Sequence, residues 1–142
     1  MSLLIEVFDW VAGQLPATLV SGTNWHCGHL LPEYEGPLSV LVDRGGPPER
    51  HNYAELGENR FQVITIGSVQ PDVGFLAVED FALGIDAVLR DAQACATATY
   101  QVMGMQGLQR PTFVPTEDRS RWEFSANYLC YYRTTATWDQ AA

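Results

Sequence analysis

Hydrophobic residues recur at steps of three and four near the start of the chain, where Leu4, Val7, Phe8, Val11 and Leu15 share one stripe of a helix. Ser2 is placed to cap it, Glu6 and Asp9 lie off the stripe where carboxylates suit the helix dipole, and Pro16 ends it. The pattern predicts an amphipathic helix over residues 3–15. Val78, Phe81, Ala82, Ile85, Val88 and Leu89 trace a second stripe, predicting a helix over residues 74–92 with Glu79, Asp80, Asp86 and Arg90 pointing elsewhere. Gly84 weakens this helix by about 1 kcal/mol relative to Ala, and its missing side chain leaves room for close packing there.

Elsewhere the period shortens to two. Trp122, Phe124, Ala126, Tyr128, Cys130 and Tyr132 alternate with Glu123, Ser125, Asn127, Leu129, Tyr131 and Arg133, which predicts a long final strand over residues 121–133 with one face buried. Residues 38–43 form a compact apolar run that stops at Arg44-Gly45-Gly46-Pro47-Pro48, and residues 61–68 read as its antiparallel partner. Residues 17–25 and 95–103 are weaker β-leaning stretches, the first interrupted by Gly22, the second loosened by Gly104 and Gly107. Residues 26–37 and 49–59 read as loops, as does the passage through Pro111 and Pro115, and residues 134–142 as a tail.

This order of elements predicts one α+β domain spanning residues 1–142, with a mixed, mainly antiparallel sheet of four to five strands and both helices packed on one face. Neither side of the final strand is plainly polar. A sheet that is apolar on both faces and covered on one implies a second subunit over the other, so assembly is expected.

Charge narrows the function. The 142 residues carry 17 acidic and 8 basic side chains, a formal net charge of −9, and every basic residue is Arg. Such a surface repels phosphate and argues against sequence-independent gripping of nucleic acid. The three cysteines, Cys27, Cys95 and Cys130, are odd in number and widely spaced, which signals neither a disulfide framework nor a zinc site and fits a reducing compartment. The first residues lack the basic lead-in of a signal peptide, and no apolar run approaches the ~18 residues of a membrane span. A soluble protein that stays where it is made is expected.

Candidate chemistry is sparse. His26, Cys27 and His29, with His51 as a distant fourth, are the only cluster of metal-like residue types, but no second ligand pair follows at zinc-site spacing. As a Cys–His nucleophile pair they lack an orienting third group. Gly45-Gly46-Pro47-Pro48 has the glycines of a phosphate loop without its Lys, and Glu117-Asp118 sits beside Arg119 and Arg121 as a solvated turn. The aromatic final strand has the rings of a base-stacking sheet but not the cations that accompany them. No catalytic residue, metal or cofactor is assigned, and a non-enzymatic protein is expected.

Read in order, Val40-Leu41-Val42-Asp43-Arg44-Gly45-Gly46-Pro47-Pro48, Phe61-Gln62-Val63, Pro111-Thr112-Phe113, Asp118-Arg119-Ser120-Arg121 and Glu123-Phe124-Ser125-Ala126-Asn127-Tyr128 form a pattern covering nearly the whole chain. The pattern resembles the tail terminator and minor capsid (head–tail joining) proteins of long-tailed bacteriophages. The resemblance implies an α+β virion protein, assembled in the host cytoplasm, that forms a homo-oligomeric ring, expected to be a hexamer, at the head-proximal end of the tail. The ring stops polymerisation of the tail tube protein and meets a neck or connector protein, while DNA passes through an acidic lumen without specific binding. By the same resemblance the loop from Arg44 to Asn59 contacts the tube or a ring neighbour, with Arg44, Gly45, Gly46, Arg50 and Arg60 as interface residues. Trp122, Phe124, Asn127 and Tyr128 become structural residues of the last strand, Asn127 as a hydrogen-bonding one. The alternatives are a tube or neck protein of the same fold and, from another class, a small-molecule-binding or hydrolase domain.

Overall fold

A computed structural model describes residues 3–28, 37–45, 56–67, 74–92, 100–114 and 122–134. In chain order these form α1 (Leu3–Gln14), β1 (Trp25–Cys27), β2 (Leu38–Gly45), β3 (Leu56–Ile66), α2 (Phe75–Arg90), β4 (Tyr100–Gly107), β5 (Thr112–Phe113) and β6 (Glu123–Thr134). The strands make one six-stranded sheet in the order β1-β2-β3-β6-β4, with β5 also on β6. β1 runs parallel to β2, and every other pairing is antiparallel. The α+β class and mainly antiparallel character are therefore as expected. The strand number exceeds four to five because two strands are only three and two residues long, too short to display a period.

β6 is the central strand. Along one edge it pairs with all of β3, from Leu56↔Arg133 to Ile66↔Glu123. Along the other edge β4 runs from Tyr100↔Thr134 to Gly107↔Tyr128, and β5 resumes at Thr112↔Ser125. β4 and β5 are thus one edge strand interrupted at residues 108–111.

Both helices lie on the same face of this sheet. Val7, Phe8 and Val11 of α1 and Ile85 and Leu89 of α2 are buried in one cluster with Leu41, Phe61, Val63, Ala126, Tyr128 and Cys130. Phe8 stacks on Trp25 at a centroid distance of 5.3 Å, and the Trp25 Nε1 donates to the Phe8 carbonyl at 3.0 Å. The first half of α2 sets Val78 and Ala82 against Phe124, beside the ring cluster of Phe75, Phe113 and Trp122. Phe124, Ala126, Tyr128 and Cys130 are buried while Ser125, Asn127 and Leu129 are half-buried, as the alternation of the last strand required.

Several expectations need correction. Glu6 and Asp86, placed off the helical stripes, are buried. Gly84 is exposed with open space around it, so no close packing occurs there. The first strand is not the 17–25 run but Trp25–Cys27, where parallel pairing with β2 supplies what local propensity does not. Leu56 to Asn59 belong to β3 rather than to a loop, because they pair with Cys130 to Arg133. Of the stretch placed at 95–103, residues 95–99 lie outside the described ones, and the described strand runs over Tyr100–Gly107 with Gly104 and Gly107 inside it. Gly107 lies beneath Arg90: a Cβ there would come 2.5 Å from its guanidinium carbon. Trp122 stands just before β6, its carbonyl accepting from the Gly67 amide at 2.7 Å. Ser2, His29, Gly46, Arg50, His51, Cys95, Glu117, Asp118 and residues 135–142 lie outside the described residues.

The face away from the helices is not uniformly apolar. Leu38, Val40, Val42 and Ile66 on it are buried within the single chain. The rest, carrying Arg44, Arg60, Gln62, Asn127 and Leu129, is half-buried or exposed and largely polar. The expected apolar surface across this whole face is therefore absent among the described residues, since its apolar corner is already buried and the remainder is largely polar.

Candidate interface on the open sheet face

The side chains that converge on this polar half begin with the end of β2. A bulge between Asp43 and Gly45 shifts the register of β2 against β3. Gly45 takes φ 75°, a left-handed value that favours glycine. The Asp43 carboxylate holds the bulge by accepting from the Gly45 amide at 2.7 Å and from Asn59 Nδ2 at 3.0 Å. Arg44 is thereby turned across the face, and its Nε donates to Gln62 Oε1 at 2.7 Å, with Nη2 donating to the same atom. Gln62 Nε2 donates onward to Ser125 Oγ at 2.7 Å.

Gln62 stands opposite Asn127 on β6, and Asn127 Nδ2 donates to Gln109 Oε1 at 3.1 Å. Gln109 belongs to the interruption of the edge strand. Gly107 pairs with Tyr128 and Thr112 with Ser125, so residues 108–111 stand opposite Ala126 and Asn127 alone and bulge outward. The Leu108 amide still reaches the Asn127 carbonyl at 2.8 Å. Leu108 is 49% exposed, and Gln109 and Arg110 are exposed beside it.

Arg44, Arg60, Leu108, Gln109 and Asn127 line one open depression of about 400 Å³. Among the described residues the one ion pair lies elsewhere, between Arg90 and Asp86 at 2.9 Å. The depression is therefore flanked by two arginines held by neutral neighbours or by none, on a chain of net charge −9. A cationic rim around hydrogen-bonding amides and one exposed leucine suits an acidic macromolecular surface. The shallow form gives little to enclose a small molecule.

Of the expected interface residues, Arg44, Gly45 and Arg60 come together here, and Asn127, expected to be purely structural, joins them. Gly46 and Arg50 lie outside the described residues. Leu108, Gln109 and Arg110 carry no signal in the sequence, because a two-residue excess in a strand pairing exists only against the partner strand.

The other candidates stay apart. His26 places a ring nitrogen 3.0 Å from the Thr23 carbonyl, which anchors the turn before β1, and Cys27 carries an exposed free thiol. No group of three metal-ligating side chains occurs among the described residues. Tyr128, Asp86 and Arg90 form a chain under α2: the Tyr128 hydroxyl donates to Asp86 Oδ1 at 2.5 Å, and Arg90 Nε donates to Oδ2 at 2.9 Å. Burial first, then the hydrogen bond and charge of Asp86, hold the Tyr128 phenol well above its ordinary value of 10.0. It stays neutral and fastens strand to helix.

No protein-family model and no curated protein matches the chain. Among solved structures it is similar to a chain of the "Virion of native gene transfer agent (GTA) particle", with a TM-score of 0.63 at 13% identity, covering 93% of this chain and 95% of that one. A second solved structure is similar with a TM-score of 0.50 at 12% identity, covering 92% of this chain and 89% of that one. Along nearly its whole length, the chain shares its fold with a component of a gene transfer agent virion.

Proposed function

We propose that the chain is a virion structural protein, and within the virion a tail terminator. In this role, copies form a ring at the head-proximal end of the tail tube, end tube polymerisation and join the tail to the neck. DNA passes through without being held. The observation that carries the reading is mutual coverage: 93% of this chain and 95% of the virion chain superimpose, so the likeness is not confined to a shared fragment. The ordered motifs of the sequence support the finer assignment. A net charge of −9 supports passage of DNA, since a negative wall repels the phosphate backbone.

The test is assembly. Negative-stain imaging of the purified chain, with a mass measurement, is expected to show closed rings. Particles made without it are expected to carry tubes of uncontrolled length that fail to join heads. Long cylinders from the purified chain would make it a tube protein. A monomer at every concentration, with tails of normal length in its absence, would remove the reading and return attention to ligand-dependent thermal stabilisation.

A further inference from the structure

The depression rimmed by Arg44 and Arg60 needs an acidic partner, and one is present on the chain itself. Leu76, Asp80, Ala87 and Asp91 recur at steps of four, seven and four, which places them on one stripe, and all four are exposed. Leu76 is 69% exposed. The stripe lies opposite the buried residues Val78, Ala82, Ile85 and Leu89 that hold α2 on the sheet. Asp91 is the C-cap residue of α2, where the negative end of the helix dipole adds to its own charge. The basic residue of that last turn, Arg90, is drawn inward onto Asp86 and does not neutralise it.

We infer that the open-face depression of one copy docks the outward stripe of α2 from a second copy. Charge is matched: Arg44 and Arg60, with Arg110 on the adjoining bulge, meet Asp80 and Asp91. Apolar anchors are matched too, Leu108 on one surface and Leu76 on the other. The outer stripe of α1 offers a poorer fit, because Asp9 is its only exposed carboxylate among the described residues. Glu58 is the nearest acid along β3 on the open face, two positions from Arg60 and opposite Tyr131, and among the described residues no ion pair joins it to either arginine.

The geometry has a consequence for symmetry. α2 covers one face of the sheet and the depression opens on the other, so the two surfaces look in opposite directions. Such a contact is heterologous: each copy uses its front against the back of the next, which closes into a ring when the rotation permits. The inference rests on the ring reading above and names the surfaces that meet in it.

Charge exchange tests it on the full-length chain, with circular dichroism and a thermal melt confirming that each variant folds. R44E/R60E alone, and D80R/D91R alone, are each expected to raise the concentration at half-assembly by at least about thirtyfold, since like charges then face one another. An equimolar mixture of the two is expected to restore assembly, because each interface again pairs opposite charges. The quadruple variant R44E/R60E/D80R/D91R is expected to assemble alone. Folded doubles that assemble like the parent, or a mixture and quadruple that stay dissociated, would overturn the inference while leaving the ring intact. Parent rings unchanged in the doubles, with loss only of duplex DNA retention in a gel shift, would overturn it in favour of a nucleic-acid surface. A parent chain that never assembles would remove both this inference and the ring reading.

Discussion

At Tyr128 a single hydroxyl ties the last strand to the second helix, and the consequences follow from its neighbours. Replacing it with Phe leaves the buried Asp86 carboxylate without its 2.5 Å donor, so Tyr128→Phe is expected to cost about 1–3 kcal/mol in urea unfolding. The folded state holds this phenol protonated above pH 10.0, where an unfolded tyrosine releases its proton. The folded form then binds more protons, so stability falls as pH rises beyond 10, and the variant is expected to flatten that fall. Glu123 follows the same sign in a lower window. Burial raises its carboxyl above 4.5, so stability declines as pH climbs from about 4.5 through the raised value. Paired pH titrations of unfolding are expected to show Glu123→Gln lacking that component. At Gly57 the constraint is space: a Cβ would lie 2.4 Å from Tyr132 Cζ, and that ring already packs edge-on to Tyr100 at 5.5 Å. Gly57→Ala is expected to destabilise by about 1–3 kcal/mol through overpacking.

Among the elements, β6 carries its own register. Its alternate residues Phe124, Ala126, Tyr128 and Cys130 are buried under both helices, and a slip of one residue would drive Ser125 and Asn127 into the core. β1 is the opposite case, three residues held by what they touch. Trp25 is fully buried, stacks on Phe8 and donates to its carbonyl, so it joins α1 to the sheet edge. Trp25→Ala is expected to cost about 3–5 kcal/mol, a large share of the roughly 5–15 kcal/mol that keeps a domain folded, with the loss read from the denaturation midpoint. The interruption between β4 and β5 has no sequence period of its own. It exists because the edge strand carries two more residues than β6 can pair, and the surplus projects Leu108 and Gln109 over the open face.

For the whole molecule, the same charges act in two directions. A net charge of −9 destabilises the folded chain by self-repulsion, whereas docking of Arg44 and Arg60 on Asp80 and Asp91 draws copies together. Salt screens both, the screening length falling from about 10 Å at 0.1 M to about 3 Å at 1 M. Raising NaCl over that range is therefore expected to increase Tm of the R44E/R60E chain in a thermal melt. In sedimentation of the parent chain the same change is expected to weaken assembly. Assembly that strengthens with salt would point to apolar contacts instead.

The sequence by itself determined the two helices, the strands β2 and β6, β3 from Phe61 onward, the α+β class and the acidic character. Each of these is written in a local period or a composition, and burial of one stripe or one face enforces the period. Tertiary structure alone decided the short strands β1 and β5, whose few residues are held by pairing, and the inward turn of Asp86, whose carboxylate is satisfied by Tyr128 from 42 positions away. It also gathered Arg44, Arg60 and Asn127 around one depression and withdrew the apolar corner of the open face into the chain's own interior. Periodicity reports which way a side chain points within its element; which distant side chains it meets depends on register across the sheet, and that is a property of paired strands.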